Sequence, residues 1–187
     1  MANTVEFGLT NVYFAKASYD SLTNTVSYGS PQRILGAVNL SLENSSDNDN
    51  IFYADNIEYY KSAGTGGFTG TLELALIPEW VKTNILGETK NTDDVLIATN
   101  NDTFSPFAMM YQVDGDDDET YRLFYYCSVS RPAENSATIE DTRTPQTSTL
   151  NLTVSARPDN GLIKAMTTPD TDAAVVSAWF TTVYEEA

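Results

Sequence analysis

The segment formed by residues 70–87, GTLELALIPEWVKTNILG, restricts the possible folds more than any other part of the chain. Its first half alternates leucine with other residues, which predicts a β-strand with Glu73 on one face and an apolar opposite face. Pro78 suits the first position of a helix, because its missing N–H would have no partner there. Gly87 can adopt the left-handed backbone conformation that commonly ends a helix. The sequence therefore predicts a strand that leads directly into a short helix, with apolar positions Leu72, Leu74, Leu76, Ile77, Val81 and Ile85.

Short alternating runs of this kind recur along the chain, with turn residues between them. Residues 107–113 and 121–129 flank Asp114-Gly115 and predict a hairpin. Residues 149–155 predict a strand with Leu150, Leu152 and Val154 inward. A short helix is expected within residues 171–183. Roughly eight to eleven strands and two short helices indicate a mainly β protein. It is expected to be an antiparallel sandwich or barrel with one or two short flanking helices.

No linker or internal repeat divides residues 1–187, so we predict a single domain. Three long polar segments are expected to be loops: residues 43–50, 88–103 and 136–147. No apolar run approaches the roughly 18 residues that a membrane span needs. The first residues lack the basic and apolar regions of a signal peptide. Cys127 is the only cysteine, and we expect its side chain to be buried as a small apolar group. A single cysteine forms no internal disulfide, which fits a protein made in a reducing cytoplasm.

The composition disfavours several classes of function. The chain has a formal charge of −16, with 26 acidic and 10 basic residues, and it contains no histidine. Tight nucleic-acid binding needs clustered Lys and Arg, which are missing here. Histidine-based nucleophilic catalysis and His-bearing zinc sites are excluded. A pair of carboxylates, as in glycosidases, remains possible, but no motif indicates catalysis. We predict a protein that is not an enzyme.

Two features resemble binding sites and are better explained otherwise. The acidic residues 114–119, DGDDDE, suggest a calcium site. An EF-hand loop needs Gly at its sixth position and Glu at its twelfth, but counted from Asp114 these positions are Glu119 and Tyr125. A solvated hairpin tip is the favoured interpretation. Adjacent tyrosines at 59–60 and 125–126 are candidates for a sugar platform, yet neighbours on a strand point to opposite faces. We therefore predict no metal ion and no cofactor.

Several segments in order resemble the major tail proteins of bacteriophages with long, non-contractile tails (siphophage type), which are the subunits of the tail tube. The resemblance spans most of the chain and rests on VEFGL with NV (5–9, 11–12), GAVNLSL (36–42), FYADN (52–56), LELALIPEW with LG (72–80, 86–87), PFA (106–108), CSVSRP (127–132) and PQT (145–147).

This resemblance implies a tail-tube fold, in which two antiparallel sheets pack as a sandwich or barrel with a flanking helix. It implies hexameric rings that stack into a hollow tube conducting double-stranded DNA into the host cell. The expected partners are further copies of the chain, the tape measure protein, the tail-tip proteins and the tail terminator. DNA is expected to pass without being held, and no membrane is involved. The expected location is the virion tail, assembled in the host cytoplasm.

Specific residues follow from this interpretation. Glu73, Asn151 and Thr153 lie opposite the apolar faces of their strands and are the candidate lumen-facing residues. An acidic lumen repels phosphate within about 8 Å at physiological salt. The candidate ring-stacking loops are residues 43–50 and 88–103, and the chain termini are expected to extend as arms towards adjacent subunits. Within these loops, the candidate ring-stacking residues are Asp47, Asp49, Asp93 and Asp94.

Three other functions remain open from the sequence. One is a monomeric β-sandwich module that binds carbohydrate or calcium. Another is a carboxylate-based hydrolase. The third is a different tube-like tail component, such as a tail terminator, because a shared fold does not fix a role.

Overall fold

The computed structural model describes residues 3–45, 50–54, 57–62, 66–115, 117–138 and 145–186. Within these ranges the protein is mainly β with two short helices, as the sequence predicts, and all its strand pairs are antiparallel. The strands are β1 (Glu6–Asp20), β2 (Thr25–Tyr28), β3 (Gln32–Arg33), β4 (Ala37–Asn44), β5 (Asn50–Ala54), β6 (Ile57–Ser62), β7 (Phe68–Leu74), β8 (Thr89–Lys90), β9 (Leu96–Ile97), β10 (Phe107–Gly115), β11 (Thr120–Val129), β12 (Ser148–Ser155) and β13 (Lys164–Met166). The helices are α1 (Glu79–Asn84) and α2 (Ala173–Ala178).

The described strands outnumber the sequence prediction. Three of them, β3, β8 and β9, contain only 2 residues each. Segments this short have no periodicity to detect, which explains the low predicted count. The strands β8 and β9 form a small ribbon inside the segment 88–103, which the sequence predicts as a loop.

Nine strands form one sheet in the order β2-β1-β10-β11-β12-β7-β4, with β3 also pairing with β1 and β13 with β11. The long strand β1 pairs with β10, with β3 at Tyr13 and Phe14, and with β2 near its end. The sheet curls, so that β4 at its far end returns towards β1. The ribbons β5–β6 and β8–β9 lie outside this sheet. The architecture is therefore a curled, sandwich-like antiparallel sheet.

The predicted strand–helix unit is present as β7 and α1, with two local differences. Leu76 is 70% exposed because β7 ends at Leu74, where its ladders with both β4 and β12 also end. Pro78 is the N-cap of α1 and not its first residue, with extended backbone at φ −62° and ψ 149°. Gly87 adopts φ +75° after the helix, as predicted. The other predicted apolar positions, Leu72, Leu74, Ile77, Val81 and Ile85, are buried.

The main core lies on the concave side of the sheet. Val81 of α1 is fully buried in it, and Trp80 packs against it while half-buried. The inward residues of β12 are buried as the alternation predicts. Cys127 is also fully buried here, and burial raises the pKa of its thiol. The sheet contributes Val12, Phe14, Leu72, Leu74, Phe107, Met109, Tyr111, Phe124, Val129, Leu150, Leu152 and Val154.

A second, smaller core lies on the opposite face of β1, β10 and β11, beneath the C-terminal segment. Trp179 is 3% exposed, and Phe180 stacks on Tyr13 with ring centroids 4.8 Å apart. Tyr184 stacks on Trp179 at 5.7 Å. The C-terminal residues, which the resemblance assigns to an arm, thus lie against their own sheet. The sheet side of this core consists of Ala15, Ala108, Met110, Leu123 and Tyr125.

Candidate functional site

Glu73, Asn151 and Thr153 lie on one face of the sheet, opposite the main core. Across the β7–β12 ladder, Glu73 pairs with Thr149, Asn151 with Thr71, and Thr153 with Thr69. Directly opposed residues of an antiparallel ladder point to the same face, and alternate residues share it. The structure therefore brings the three candidate lumen residues together.

This face continues onto both neighbouring strands. On β4, Asn39 pairs with Glu73, Ser41 with Thr71 and Glu43 with Thr69. On β11, Ser128 pairs with Thr153. Each of these side chains is exposed or half-buried. We call this surface the polar face; it consists of Asn39, Ser41, Glu43, Thr69, Thr71, Glu73, Ser128, Thr149, Asn151 and Thr153.

The polar face carries neutral polar groups and two carboxylates. Its ten side chains are hydroxyls, amides and the two carboxylates of Glu43 and Glu73, and none of them is Lys or Arg. Hydroxyl and amide groups form hydrogen bonds with water or with neutral partners. A surface of this kind attracts no anion by charge.

Glu73 is partly fixed by its surroundings. The hydroxyl of Thr147, just before β12, donates a hydrogen bond to Glu73 Oε1. On the neighbouring strand β4, Glu73 is paired with Asn39, directly after a register shift between Ala37 and Asn39. The Glu73 carboxylate therefore stays on the polar face at the end of the β4–β7–β12 ladders.

The two close strand contacts beneath this face depend on glycine. A Cβ added at Gly70 would lie 1.9 Å from the Ser41 carbonyl oxygen of β4, and one at Gly67 would lie 1.7 Å from the Val154 carbonyl oxygen of β12. Real Cβ atoms do not approach backbone this closely, so both positions need a residue without Cβ. The sequence shows these glycines but not which backbones approach them.

The candidate stacking residues are only partly within the described ranges. Asp47 and Asp49 lie outside the described residues. Asp93 is exposed, and its N–H donates to Asn91 Oδ1 at 2.9 Å. Asp94 adopts φ +63° and forms a salt bridge with Lys90 at 3.2 Å.

The segment 88–103 is held to the body of the protein by charged groups. Lys90 Nζ lies 3.0 Å from Glu79 of α1. The Asp102 side chain is only 3% exposed, and Arg131 Nη2 donates to it at 3.1 Å. Hydrogen bonds from the Thr99 hydroxyl and N–H lower the pKa of Asp102. This segment therefore already has a defined conformation in the single chain.

The acidic hairpin tip between β10 and β11 is organised by hydrogen bonds. Asp114 Oδ1 accepts from Gln112 at 3.0 Å, and the N–H groups of Asp117 and Asp118 donate to Asn3 Oδ1. Across the described ranges, no three His, Cys, Asp or Glu side chains are grouped so as to hold a metal ion. Asp116 is outside those ranges.

The tyrosine pairs do not form an exposed platform where they are described. Tyr125 is 2% exposed in the second core, whereas Tyr126 is half-buried beside Ser155. Burial raises the pKa of Tyr125 to about 12. The side chains of Tyr59 and Tyr60 lie outside the described part of the structure.

A charged cluster around Arg157 is absent from the sequence-based predictions. The Arg157 guanidinium is nearly buried between the rings of Tyr28 and Tyr125, at 5.4 and 5.5 Å from their centroids. It forms salt bridges with Asp159 at 2.7 Å and with Glu185. The partners are distant in sequence, so no local pattern indicates this cluster. Its position ties the C-terminal segment to the sheet.

Comparisons with known proteins add no identification: no protein-family model, curated protein or solved structure matches this chain. In the part of the chain that the structure describes, neither helix has the length and apolar character needed to cross a bilayer. The described residues form a mainly β protein with one large curled antiparallel sheet and a polar face.

Proposed function

We propose that this chain is a tail tube subunit of a long, non-contractile bacteriophage tail. In this role it is a structural virion protein that self-assembles into stacked hexameric rings. The resulting tube conducts DNA into the host cell. The observation that supports this proposal best is the polar face, because it combines an apolar underside with a broad outer surface of neutral and acidic groups.

Such a face suits the wall of a DNA conduit. A duplex carries a dense row of phosphates, and proteins hold it mainly by replacing its counterions with Lys and Arg. The ten residues of the polar face contain no Lys or Arg, and Glu43 and Glu73 repel phosphate at close range. Screening restricts this repulsion to about 8 Å at physiological salt. The surface therefore prevents adhesion of DNA and does not drive its movement.

The net charge of −16 agrees with the same role. In a ring, every copy of the polar face contributes its carboxylates to one lumen. The proposal places the tape measure, tail-tip and tail terminator proteins as partners. It assigns assembly to the host cytoplasm and the final location to the virion tail.

Negative-stain electron microscopy of the purified, concentrated protein tests this proposal. Rings or tubes with a central channel are the expected result, together with large species in sedimentation velocity. A protein that stays monomeric and binds glycans or Ca²⁺ would favour a β-sandwich binding module instead. Virions in which the chain lies outside the tail shaft would contradict the proposal even if rings form.

A further inference from the structure

The turn between β12 and β13 contains an asparagine followed directly by a glycine, Asn160-Gly161. Both residues are exposed, and Gly161 adopts φ +76° with open space where a Cβ would be. A glycine in this position leaves its backbone nitrogen unshielded by a side chain, so the nitrogen can approach the carbonyl carbon of the asparagine side chain. The pair is therefore suited chemically to deamidation.

The turn holds both reacting groups in hydrogen bonds. The N–H of Leu162 donates to Asn160 Oδ1 at 3.1 Å, which stabilises negative charge that develops on this oxygen during an attack on Cγ. The N–H of Gly161 donates to the Arg157 carbonyl oxygen at 3.0 Å. This second bond opposes the attack, because the nitrogen must lose its proton and leave the Arg157 carbonyl before it can act as a nucleophile.

The turn is fastened to the body of the protein by Asp159. Its carboxylate binds the Arg157 guanidinium at 2.7 Å, and the arginine side chain is 4% exposed. The same carboxylate accepts hydrogen bonds from the N–H of Val26 in β2 at 3.0 Å and from the N–H of Asn160 at 2.9 Å. Opening of the turn is therefore costly while these contacts hold.

We propose that Asn160 is a site of spontaneous deamidation and that the turn formed by residues 157–162 restrains the reaction. This inference goes beyond the tail tube proposal and does not depend on it, because it concerns the chemistry of one turn within a single copy.

The reaction needs only water and a solvent base. The Gly161 nitrogen gives its proton to the base and forms a bond with Asn160 Cγ. The bond from Cγ to Nδ2 then breaks, and Nδ2 leaves as ammonia with a proton taken from water. Water opens the cyclic succinimide at Cγ, which gives aspartate, or at the backbone carbonyl carbon of residue 160, which gives isoaspartate. No molecule is oxidised or reduced.

The products alter the turn and its charge. Each product replaces a neutral amide by a carboxylate directly after Asp159, in a chain that already has a charge of −16. Isoaspartate also adds a methylene group to the main chain, so the hydrogen bonds that link Arg157 with Gly161 and Leu162 lose their geometry. Deamidation is therefore expected to weaken the contacts of the Arg157 cluster.

Peptide mass spectrometry of the wild-type protein tests the site and its restraint. The protein is incubated at one mildly alkaline pH, folded in buffer and unfolded in guanidinium chloride. Asn135, an exposed residue followed by serine, is the internal control. We expect Asn160 to deamidate at least about tenfold faster than Asn135 in the unfolded chain, and at least about tenfold faster in the unfolded than in the folded protein. Failure of either ratio would overturn the inference.

A matched pair of variants tests the part played by the Asp159 carboxylate. Asp159→Ala removes the contacts with Arg157, Val26 and Asn160, whereas Asp170→Ala removes an exposed acid elsewhere. We expect only Asp159→Ala to accelerate deamidation of Asn160 in buffer, about fivefold or more, because its turn opens more often. In guanidinium chloride both variants should match wild type, since no turn remains. Equal rates for the two variants in buffer, with circular dichroism showing both folded, would overturn the inference; if Asp159→Ala does not fold, the wild-type comparison still decides.

The stability of the product completes the test. Ion exchange separates the isoaspartate form from intact protein through its additional negative charge. We expect this form to unfold at a lower temperature than the intact protein, because the hydrogen bonds of the turn are lost. An unchanged unfolding temperature would contradict the proposed link between the turn and the Arg157 cluster.

Discussion

Arg157 and Glu185 form a salt bridge that joins the turn after β12 to the C-terminal segment. The arginine side chain is only 4% exposed, and the same guanidinium binds Asp159. Its two flanking tyrosine rings come from β2 and β11. One buried cation therefore connects the edge of the sheet, its centre and the chain terminus.

Replacement of Arg157 by Met is expected to destabilise the protein strongly. Removal of one partner from a buried ion pair typically costs about 3–5 kcal/mol, because the other charge stays buried without compensation. Glu185→Gln is the matched control on a side chain that is 47% exposed, and we expect it to cost less than about 1 kcal/mol. Urea unfolding monitored by circular dichroism measures both values. Equal losses of unfolding free energy in Arg157→Met and Glu185→Gln would show that the Asp159 carboxylate does not need the Arg157 charge.

The Asp159 carboxyl predicts a specific dependence of stability on pH. Its hydrogen bonds from Arg157 are the main reason why its pKa is lowered to about 2, and the Val26 N–H also donates to it. A lowered folded-state pKa means that this stabilisation is complete above the unfolded value near 3.8 and is lost as the pH falls towards 2.

We therefore expect Asp159→Asn to be less stable than wild type at pH 7, with a difference that shrinks between about pH 4 and pH 2. Unfolding free energies measured at several pH values give this difference. Asp170→Asn, on an exposed side chain, is the control and should show a small difference throughout. A constant difference for Asp159→Asn across this range would contradict the assigned role.

Glu73→Lys is the sharpest test of the polar face as a lumen. The substitution adds a cation to each copy of a surface that otherwise has none, so passing phosphate would be retained. We expect normal tubes in electron micrographs but infectivity reduced about tenfold or more through slower DNA ejection. Glu134→Lys, on an exposed coil residue, makes the same change of charge elsewhere. Full infectivity of Glu73→Lys virions would remove Glu73 from the lumen.

Cys127 provides a chemical measure of global unfolding. The thiol is fully buried, and burial raises its pKa, so little thiolate is available to react. We expect alkylation by iodoacetamide to be about 100-fold slower or more in buffer than in urea, because it requires opening of the main core. Mass spectrometry at timed intervals measures the rate. Rapid labelling of the native protein would indicate local opening of β11.

The sequence predicts those parts of the fold whose signals are local. Residues 70–87 contain both an alternating strand pattern and helix-boundary residues, and β7 and α1 form there. The alternation in β12 likewise predicts which side chains share the polar face, including Asn151 and Thr153. A period of two residues assigns faces without knowledge of the partner strand.

Features that depend on contacts between residues distant in sequence cannot be predicted from local sequence patterns. Leu76 continues the leucine alternation, yet it is exposed because its neighbouring strands have ended. Met110 lies on the face of β10 opposite the main core, which would be exposed to solvent in a hairpin with only one buried face. It is buried because the C-terminal segment covers it. The Arg157 cluster needs residues from β2, β11 and the C-terminal segment, and only the folded chain brings them together.

The distribution of tryptophan has a practical consequence. The chain has 2 tryptophans, Trp80 against the main core and Trp179 within the second core. Replacement of either one by Phe leaves a single tryptophan, whose fluorescence reports on one face of the sheet alone. Stopped-flow refolding of the two single-tryptophan proteins would reveal whether the faces order simultaneously or whether the C-terminal segment docks after the sheet has formed.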